Sequence, residues 1–201
     1  MGIIAPHKHH LKSGELVVVR SAVPDDAADL LTLGRAIIAE GEFAVTTPDE
    51  YTFTDEQERE WIRRYADDAG KLAIAAEESG RIIGVLFLES SSRQRLAHVA
   101  TLHMSVAKEW RSRGVGTALL QSAIEWAKSH PVIEKLGLAV FSSNSRAIGL
   151  YRKLGFVEEG RRPREIKFGP DMYVDDVLMC RFVKTCQAGK PDLLHSAAPR
   201  G

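Results

Sequence analysis

The sequence has little or none of several features that mark specialised classes of protein. Its two cysteines, Cys180 and Cys186, are too few and too close together for a disulfide framework or a zinc site. The first ten residues lack the apolar run of a secretory leader, and no stretch approaches the roughly 20 apolar residues of a membrane-spanning helix. We therefore expect a soluble, cytoplasmic protein with reduced cysteines and no membrane partner.

An excess of charge of one sign is also missing. The chain carries 27 Lys and Arg residues against 27 Asp and Glu residues, so its formal net charge is zero. Proteins that bind nucleic acid usually present a basic surface, and we expect no nucleic-acid partner here. Any attraction for an anionic ligand must come from a local cluster of positive groups.

The rest of the composition is typical of one globular domain, since 201 residues with 44 % hydrophobic content allow a full core. Both ends lack periodicity. We expect a disordered or mobile tail over residues 1–14, a folded domain over 15–183 and a C-terminal tail over 184–201. The N-terminal tail contains His7, His9 and His10, which we interpret as part of a polar terminus; we expect no metal ion.

The hydrophobic pattern predicts a mixed α/β (α+β) architecture. Along the chain the predicted order is β-α-α-β-β-β-α-β-α-β-β, which describes a mixed sheet with helices on both faces. The clearest hairpin joins residues 71–77 and 82–88 through Ser79-Gly80-Arg81. Residues 40–53 combine turn residues with scattered aromatics, and they predict a long loop that is either mobile or part of a binding site.

One segment has the composition of an anion-binding loop. Arg111-Ser112-Arg113-Gly114-Val115-Gly116-Thr117 lies between a predicted strand and a predicted amphipathic helix. Glycines let backbone N–H groups point into one concavity, and the helix start adds unpaired donors and the positive end of its dipole. Arg111 and Arg113 add charges whose fork geometry suits phosphate oxygens. The segment therefore predicts a pyrophosphate site.

The loop alone does not identify its ligand. It has no third glycine at the position required by the dinucleotide fingerprint, and it lacks the Gly-Lys-Ser/Thr of a Walker loop. The structural alternative is a capped helix with two solvated arginines. A binding module for another phosphate ligand, such as a nucleotide, also stays open.

A second group of residues follows the next predicted strand. Asn144 is placed to cap a short helix or to bind an amide of a ligand beside the strand. Tyr151 lies about two helical turns later on a similar face, where its hydroxyl could donate a proton to a leaving group. A structural role is the alternative, because a left-handed Gly155 would pack Phe156 against Tyr151. The ring can pack while the hydroxyl points elsewhere, so both roles stay open.

Together the two segments resemble a known family. Arg111-x-x-Gly114-x-Gly116, followed by Asn144, Tyr151 and Leu154-Gly155-Phe156, is similar to the two signature motifs of the GNAT superfamily of N-acetyltransferases. The resemblance covers about residues 16–183. It implies a mixed, mostly antiparallel central sheet with helices on both faces. It also implies that the strands at 97–106 and 135–141 splay apart to admit acetyl-coenzyme A (acetyl-CoA).

The resemblance further implies roles for individual residues. The pyrophosphate of acetyl-CoA would rest on the backbone amides that precede and begin the helix, and the pantetheine arm would lie along the preceding strand. Tyr151 would protonate the departing thiolate. The implied coenzyme-binding residues are Met104, Val106, Arg111, Arg113, Gly114, Val115, Gly116, Thr117 and Asn144.

The general base is the least defined part of the expected site. A protonated amine cannot attack a thioester, so a proton must leave it. Relatives often carry a glutamate on the strand before the phosphate loop, but Thr101 occupies that place here. His103, on the same strand face, is the nearest titratable substitute and our candidate base. Water, or no base at all, is the alternative.

The acceptor should be recognised by the loop at 40–53 and by residues 170–176. Carboxylates there could attract a cation, and the rings of Phe43, Tyr51 and Phe53 could form apolar walls. If the second segment is extended, Asp175 and Asp176 face opposite sides, and only one of them can line the cleft. The candidate substrate residues are Glu42, Phe43, Tyr173 and Asp175.

We therefore predict an enzyme that moves an acetyl group from acetyl-CoA to a primary amine, either a small molecule or a protein N-terminus, by direct attack in a ternary complex. A catalytically degenerate acyl-CoA sensor or scaffold is the alternative; the missing glutamate favours it, and the presence of Tyr151 disfavours it. Proteins of this kind are often dimers, so a homodimer is also compatible with the resemblance.

Overall fold

The computed structural model describes residues 2–184, which form an eight-stranded mixed sheet and four α-helices. The strands are β1 (His7–His10), β2 (Leu16–Ser21), β3 (Lys71–Glu78), β4 (Arg81–Ser90), β5 (Val99–Val106), β6 (Lys135–Phe141), β7 (Val157–Gly169) and β8 (Met172–Phe182). The helices are α1 (Ala27–Ala39), α2 (Asp55–Asp67), α3 (Val115–Ser129) and α4 (Ser145–Lys153). Apart from its first residue, the predicted C-terminal tail lies outside the described part of the chain.

Strand β1 differs from the expectation of a mobile tail over residues 1–14. It pairs antiparallel with β2, with His7 opposite Val19 and His10 opposite Leu16. Leu11, directly after β1, packs into the core at 7 % exposure. An edge strand is held by main-chain hydrogen bonds, which do not depend on apolar side chains, and the polar sequence therefore gave no strand pattern.

The order of the strands in the sheet is β1-β2-β3-β4-β5-β6-β8-β7. Every neighbouring pair is antiparallel except β5 and β6, which run parallel. This confirms the predicted mixed, mostly antiparallel sheet. The parallel pairing is short, because it joins only residues 99–101 of β5 to residues 135–137 of β6. Beyond Thr101 and Gly137 the two strands continue without pairing, and a cleft opens between them.

Helices cover the two faces of the sheet unequally. On one face, here called the packed face, α3 and α4 bury the main core, which includes Leu102 and Met179. On the other face, α1 and α2 bury a smaller cluster against β3 and β4. Among residues 2–184, the helices leave most of this second face exposed over β5 and β6, and we call that area the open face. Its exposed side chains include Thr101, His103 and Ala139.

Helix α2 begins at the predicted capping box. The Thr54 side chain accepts a hydrogen bond from the backbone N–H of Gln57, and the Gln57 side chain accepts one from the N–H of Thr54. The helix then turns Ile62 and Tyr65, both at 5 % exposure or less, toward the sheet. This inward face fixes α2 over β3 and β4, beside the open face.

Helix α4 ends in the predicted left-handed glycine turn. Gly155 has φ of 80°, and its N–H donates to the carbonyl of Arg152 at 3.0 Å. The N–H of Phe156 donates to the carbonyl of Tyr151, also at 3.0 Å. These two bonds define a Schellman motif. The motif packs Phe156 against the ring of Tyr151 and so helps to fix the position of the tyrosine side chain.

Candidate active site

The loop before α3 presents a row of free backbone amides. Within residues 2–184, no acceptor bonds the N–H groups of residues 112–117, whereas the amides on either side, of Arg111 and Ala118, are satisfied by backbone carbonyls. Ser112 and Gly114 have left-handed φ values of 63° and 112°. Such left-handed residues turn successive N–H groups toward one concavity, and the dipole of α3 adds to them. This row of amides, which we call the amide row, has the donors that a phosphate needs.

The two glycines of the loop serve different needs. Gly114 adopts a φ that residues with a side chain rarely adopt. Gly116 allows close packing, because a Cβ there would lie 3.1 Å from Leu150 Cδ2 and 3.3 Å from Met104 Cε, and these side chains would have to shift. The first turn of α3 therefore lies directly against β5 and α4, at the mouth of the cleft.

The side chain of Arg111 forms hydrogen bonds within the protein. Its Nη1 and Nη2 donate to the two carboxylate oxygens of Glu40 at 2.5 and 2.8 Å, and its Nε donates to the carbonyl of Val106 at 3.0 Å. Both side chains of the ion pair are mostly buried, at 13 % and 15 % exposure. Arg111 thus joins the loop to the end of α1, and it is not free for the phosphate contact that the sequence suggested.

The side chain of Arg113 also makes contacts within the protein. Its guanidinium carbon lies 4.4 Å from the centroid of the Trp110 ring, and its Nη2 donates to the carboxylate of Glu15. Each of the two predicted arginine charges is therefore balanced by a carboxylate. It follows that the amide row, more than the arginine side chains, gives this loop its capacity for an anion.

The unpaired part of β5 leads toward the amide row. Met104 and Val106 are half-buried there, and no strand within residues 2–184 pairs with the edge of β5 that faces β6 beyond Thr101. Free main-chain groups on a strand edge can bond an extended ligand as an added strand would. The cleft and the amide row together form one continuous main-chain surface.

Asn144 caps α4. Its Oδ1 accepts a hydrogen bond from the backbone N–H of Ala147 at 3.1 Å, which confirms the capping role that the sequence left open. The Nδ2 atom has no acceptor among the described residues. Capping therefore leaves two side-chain N–H donors for a ligand beside β6.

Tyr151 is buried at 6 % exposure. Its ring meets Phe156 edge-on, with centroids 5.8 Å apart, and this confirms the packing role. Burial raises the pKa of Tyr151 to about 12, so its hydroxyl is protonated at neutral pH. No described residue hydrogen-bonds that hydroxyl, and it therefore keeps both its proton and a free donor.

His103 lies on the open face, as expected from its spacing to Thr101. Its ring stacks on Phe87, with centroids 4.9 Å apart and an interplanar angle of 20°. Partial burial lowers the pKa of His103 below its ordinary value of 6.5, and the nearby carboxylate of Glu89 opposes this change. The imidazole is consequently neutral at neutral pH and can accept a proton.

Sequence reasoning missed the carboxylate of Glu89. This residue is the cross-strand partner of Thr101, so both side chains lie on the same face. Tyr65 donates a hydrogen bond to Glu89 at 3.1 Å, and Lys71 Nζ lies 3.7 Å from it. The open face therefore carries a carboxylate next to Thr101, the position at which the resemblance led us to expect a glutamate.

The structure places Tyr173 and Asp175 away from the open face. Asp176 pairs with Phe141 and shares its side of the sheet, so that Asp175 and Tyr173 face the opposite side. The carboxylate of Asp175 accepts a hydrogen bond from the backbone N–H of Arg164 at 2.9 Å, and the Arg164 guanidinium lies 5.7 Å from the Tyr173 ring. Both predicted substrate residues therefore serve the β7–β8 hairpin.

Of the two neighbouring aspartates, Asp175 and Asp176, it is Asp176 that faces the cleft side of the sheet. It is 7 % exposed, and burial raises its pKa above the ordinary value, while Arg162 opposes this. The nearest Arg162 nitrogen is 3.9 Å from the carboxylate. Only the register between β6 and β8 settled which of the two aspartates has this position.

The loop at 40–53 contributes to a pocket through Tyr51 and Phe53, two of the three rings expected to form apolar walls. Glu42 is exposed and Phe43 is half-buried, and neither lines a pocket of about 800 Å³ between this loop, α2 and β4. Sequence reasoning did not assign the residues of α2 and β4 to the site. Their signal was the spacing of three and four residues along the inward face of α2. The pocket residues include Tyr51, Phe53, Glu58, Trp61 and Phe87.

Other kinds of site are not found in the described part of the chain. Among residues 2–184, no three His, Cys, Asp or Glu side chains gather closely enough to hold a metal ion. No helix in that range has the length and apolarity to cross a membrane. Cys180 is buried, and burial raises the pKa of its thiol, so it is not an activated nucleophile.

The amide row at the start of α3 and the cleft between β5 and β6 have the donors and the extended shape that suit a phosphate-bearing ligand. The Acetyltransferase (GNAT) family profile matches residues 40–156, which is more than half of the chain. This chain therefore belongs to the GNAT family and is an N-acetyltransferase.

Individual proteins are similar over most of the fold. L-amino acid N-acetyltransferase AaaT of Escherichia coli (strain K12) is 33 % identical over 121 residues, which are 60 % of this chain and 74 % of that protein. The acetyltransferase of GNAT family from Streptococcus pneumoniae superposes with a TM-score of 0.79 at 29 % identity and covers 83 % of this chain and 99 % of its own. The structure of yncA from Salmonella typhimurium with its cofactor acetyl-CoA shares the fold, with a TM-score of 0.76 at 19 % identity over 88 % of this chain and 98 % of that one.

Proposed function

We propose that this enzyme transfers the acetyl group of acetyl-CoA to a primary amine by direct attack in a ternary complex. The observation that carries the proposal is the amide row at 112–117, which opens onto the cleft between β5 and β6. A pyrophosphate suits a row of amides at a helix N-terminus, and the amide groups of a pantetheine arm suit a free strand edge.

The coenzyme is held chiefly by main-chain groups in this proposal. The amides of Arg113 to Thr117 bind the pyrophosphate, and the free edge of β5 at Met104 and Val106 binds the pantetheine amides. Asn144 directs its Nδ2 donors to the coenzyme. Arg111 acts on the loop through its ion pair with Glu40, as a positioning residue.

The acceptor amine approaches from the open face. An alkylamine has a pKa near 10, so about one molecule in 10³ is neutral at pH 7. A base as weak as His103 cannot abstract a proton from the ammonium ion efficiently before attack. The neutral amine therefore attacks the thioester carbonyl, and His103 takes the proton from the nitrogen once the C–N bond has formed and made that nitrogen more acidic. Glu89 stabilises the resulting imidazolium.

Tyr151 assists the leaving group. Its pKa of about 12 lies above the value of about 8.5 for a thiol, so complete transfer of its proton to the thiolate is uphill by about 5 kcal/mol. A hydrogen bond from the Tyr151 hydroxyl to the sulfur leaves the proton on the tyrosine, so it does not have this energetic cost. The hydroxyl therefore stabilises the negative charge as the C–S bond breaks, and the released thiolate then takes its proton from solvent.

A direct assay tests the proposal. Release of the coenzyme A thiol from acetyl-CoA is followed with a panel of primary amines and of peptides with free N-termini. Turnover with at least one class of amine is the expected result. Tight binding of acetyl-CoA without turnover of any amine would favour a sensor, and equal thermal stabilisation by ATP and acetyl-CoA would favour a nucleotide-binding module.

A further inference from the structure

A pocket of about 800 Å³ adjoins the open face, between α1, α2, β4 and the loop at 40–53. We call it the aromatic pocket, because four of the residues that line it carry aromatic rings. Tyr51 and Phe53 meet edge-on at 5.4 Å, and Trp61 and Phe87 meet edge-on at 5.3 Å. Leu30 and Val85 add aliphatic surface. Its volume lies in the range usual for small-molecule sites, roughly 300–1,000 Å³.

The aromatic pocket is adjacent to the candidate base. Phe87 lines the pocket and also stacks on His103 at 4.9 Å. Phe87 and His103 are cross-strand partners, and so are Val85 and Ser105, which lie two residues further along each strand on the same face. A molecule that presents its nitrogen to His103 on the open face therefore has this pocket beside it for the rest of its carbon skeleton.

The charges around the pocket disfavour an anion there. Its polar lining consists of Glu56, Glu58, Glu60, Gln57 and Arg64, so carboxylates outnumber cations. Arg63 contacts Glu56 and Glu60 at 3.4 and 3.5 Å. Glu58 makes no ion pair within residues 2–184, is half-buried, and lies three residues before Trp61 on the inward face of α2. An anionic group in the pocket would meet this uncompensated carboxylate.

We propose that the acceptor is a primary amine with an apolar body, either aromatic or branched aliphatic, which ends without a negative charge and fills the aromatic pocket. This inference rests on the proposed function and adds the class of acceptor to it. The apolar walls stabilise the bound carbon skeleton, and Glu58 selects against a distal carboxylate. The same chemistry occurs in free amines and in the first residue of a peptide.

The test compares acceptors that differ only in the part expected to enter the pocket. The values of kcat/KM are measured with acetyl-CoA for ethylamine, 2-phenylethylamine and 4-(2-aminoethyl)benzoate. Burial of the phenyl ring should raise kcat/KM for 2-phenylethylamine over that for ethylamine by on the order of 100-fold. The added carboxylate should remove at least tenfold of that gain. Equal values for all three amines would overturn the inference.

Two variants connect this preference to the pocket. Phe53→Ala removes a wall residue that is 50 % exposed, and the chain offers a matched control in Phe182→Ala, which truncates a 65 % exposed ring on β8. Phe53→Ala should lower the ratio of phenylethylamine to ethylamine activity by about tenfold, and Phe182→Ala should leave it unchanged. Glu58→Gln should restore activity toward the benzoate. An unchanged ratio in Phe53→Ala would contradict the assignment.

A peptide arm identifies the source of the apolar group. A peptide amide with N-terminal Phe is compared with one with N-terminal Gly, and a preference for Phe supports the pocket with a peptide acceptor. Preference for 2-phenylethylamine alone supports it with a small-molecule acceptor. If no amine at all is acetylated, the proposed function fails. If amines are acetylated without regard to their carbon skeleton, only the present inference fails.

Discussion

Glu89 on β4 lies directly opposite Thr101 on β5, with both side chains on the open face. The resemblance of the sequence to the acetyltransferase family led us to expect a glutamate at the position of Thr101. A carboxylate is therefore present one strand away, held by the hydroxyl of Tyr65 and near enough to His103 to affect its pKa. The absence of a glutamate at position 101 does not by itself make the site inactive.

The pair of His103 and Glu89 should determine the acidic side of the pH profile. Because burial lowers the pKa of His103, kcat/KM calculated for the neutral amine should fall only below pH 6.5, as the imidazole becomes protonated. Glu89→Gln removes the charge that opposes this effect, so the fall should move to still lower pH. His103→Gln should remove this limb and lower kcat/KM by about 10²-fold.

Glu125→Gln is the control for the charge change, since Glu125 is 70 % exposed on α3 and pairs with Lys128. Its profile should match that of the parent enzyme. If the fall in kcat/KM stays at the same pH in Glu89→Gln, Glu89 does not influence the titration of His103. A limb that persists in His103→Gln would assign the proton transfer to water.

Tyr151→Phe separates the hydroxyl from the ring. The phenylalanine ring can keep the edge-on contact with Phe156, so the fold should be retained. Loss of the donor should lower kcat by about 10²-fold, the lower end for removal of one hydrogen-bond donor that stabilises transition-state charge, while the Kd for acetyl-CoA changes little. Turnover and calorimetric binding are measured on the same preparation. An unchanged kcat would leave Tyr151 with a packing role alone.

Gly116→Trp should prevent the coenzyme from reaching the amide row. A side chain at this position must displace Leu150 and Met104 or project into the mouth of the cleft. Gly149→Trp is the matched control, because no atom lies within 4 Å of a Cβ built at Gly149. Binding of acetyl-CoA should be lost in the first variant and kept in the second. Thermal unfolding checks that both are folded, and normal affinity in a folded Gly116→Trp would refute the placement.

The ion pair of Arg111 and Glu40 should contribute more to stability than that of Arg113 and Glu15. The first pair is 13 % and 15 % exposed, and the second is 35 % and 27 % exposed. Glu40→Gln leaves a mostly buried guanidinium without its counter-charge and should lower the free energy of unfolding by about 3 kcal/mol. Glu15→Gln should lower it by much less, because solvent screens the charge of the more exposed pair. Urea denaturation measures both, and equal losses would show that burial does not separate the two pairs.

The sequence predicted those features that depend on neighbouring residues. Apolar periodicity located the predicted strands and helices, and the glycine after Leu154 predicted the left-handed end of α4. Strand β1 was missed because His7 to His10 have no apolar pattern, and main-chain pairing with β2 holds them. The amide row was predicted because its glycines and the start of α3 lie in one short segment.

Features that join distant residues could not be predicted in this way. Glu40 and Glu15, the partners of the two loop arginines, are 71 and 98 residues away from them in sequence. The choice between Asp175 and Asp176 depended on the register of β8 against β6. The sequence alone contains neither a register nor a long-range ion pair, so these two features appeared only with the fold.

Amide NMR of the isotope-labelled protein tests the central assignment most directly. Acetyl-CoA is titrated into the protein, and the amide resonances of residues 112–117 are compared with those of the strands of the sheet. Hydrogen bonds to a pyrophosphate should shift these amides strongly, and acetyl-pantetheine, which lacks the pyrophosphate, should leave them in place. Saturation by acetyl-CoA with no shift at 112–117 would contradict the assignment of the amide row as the anion site.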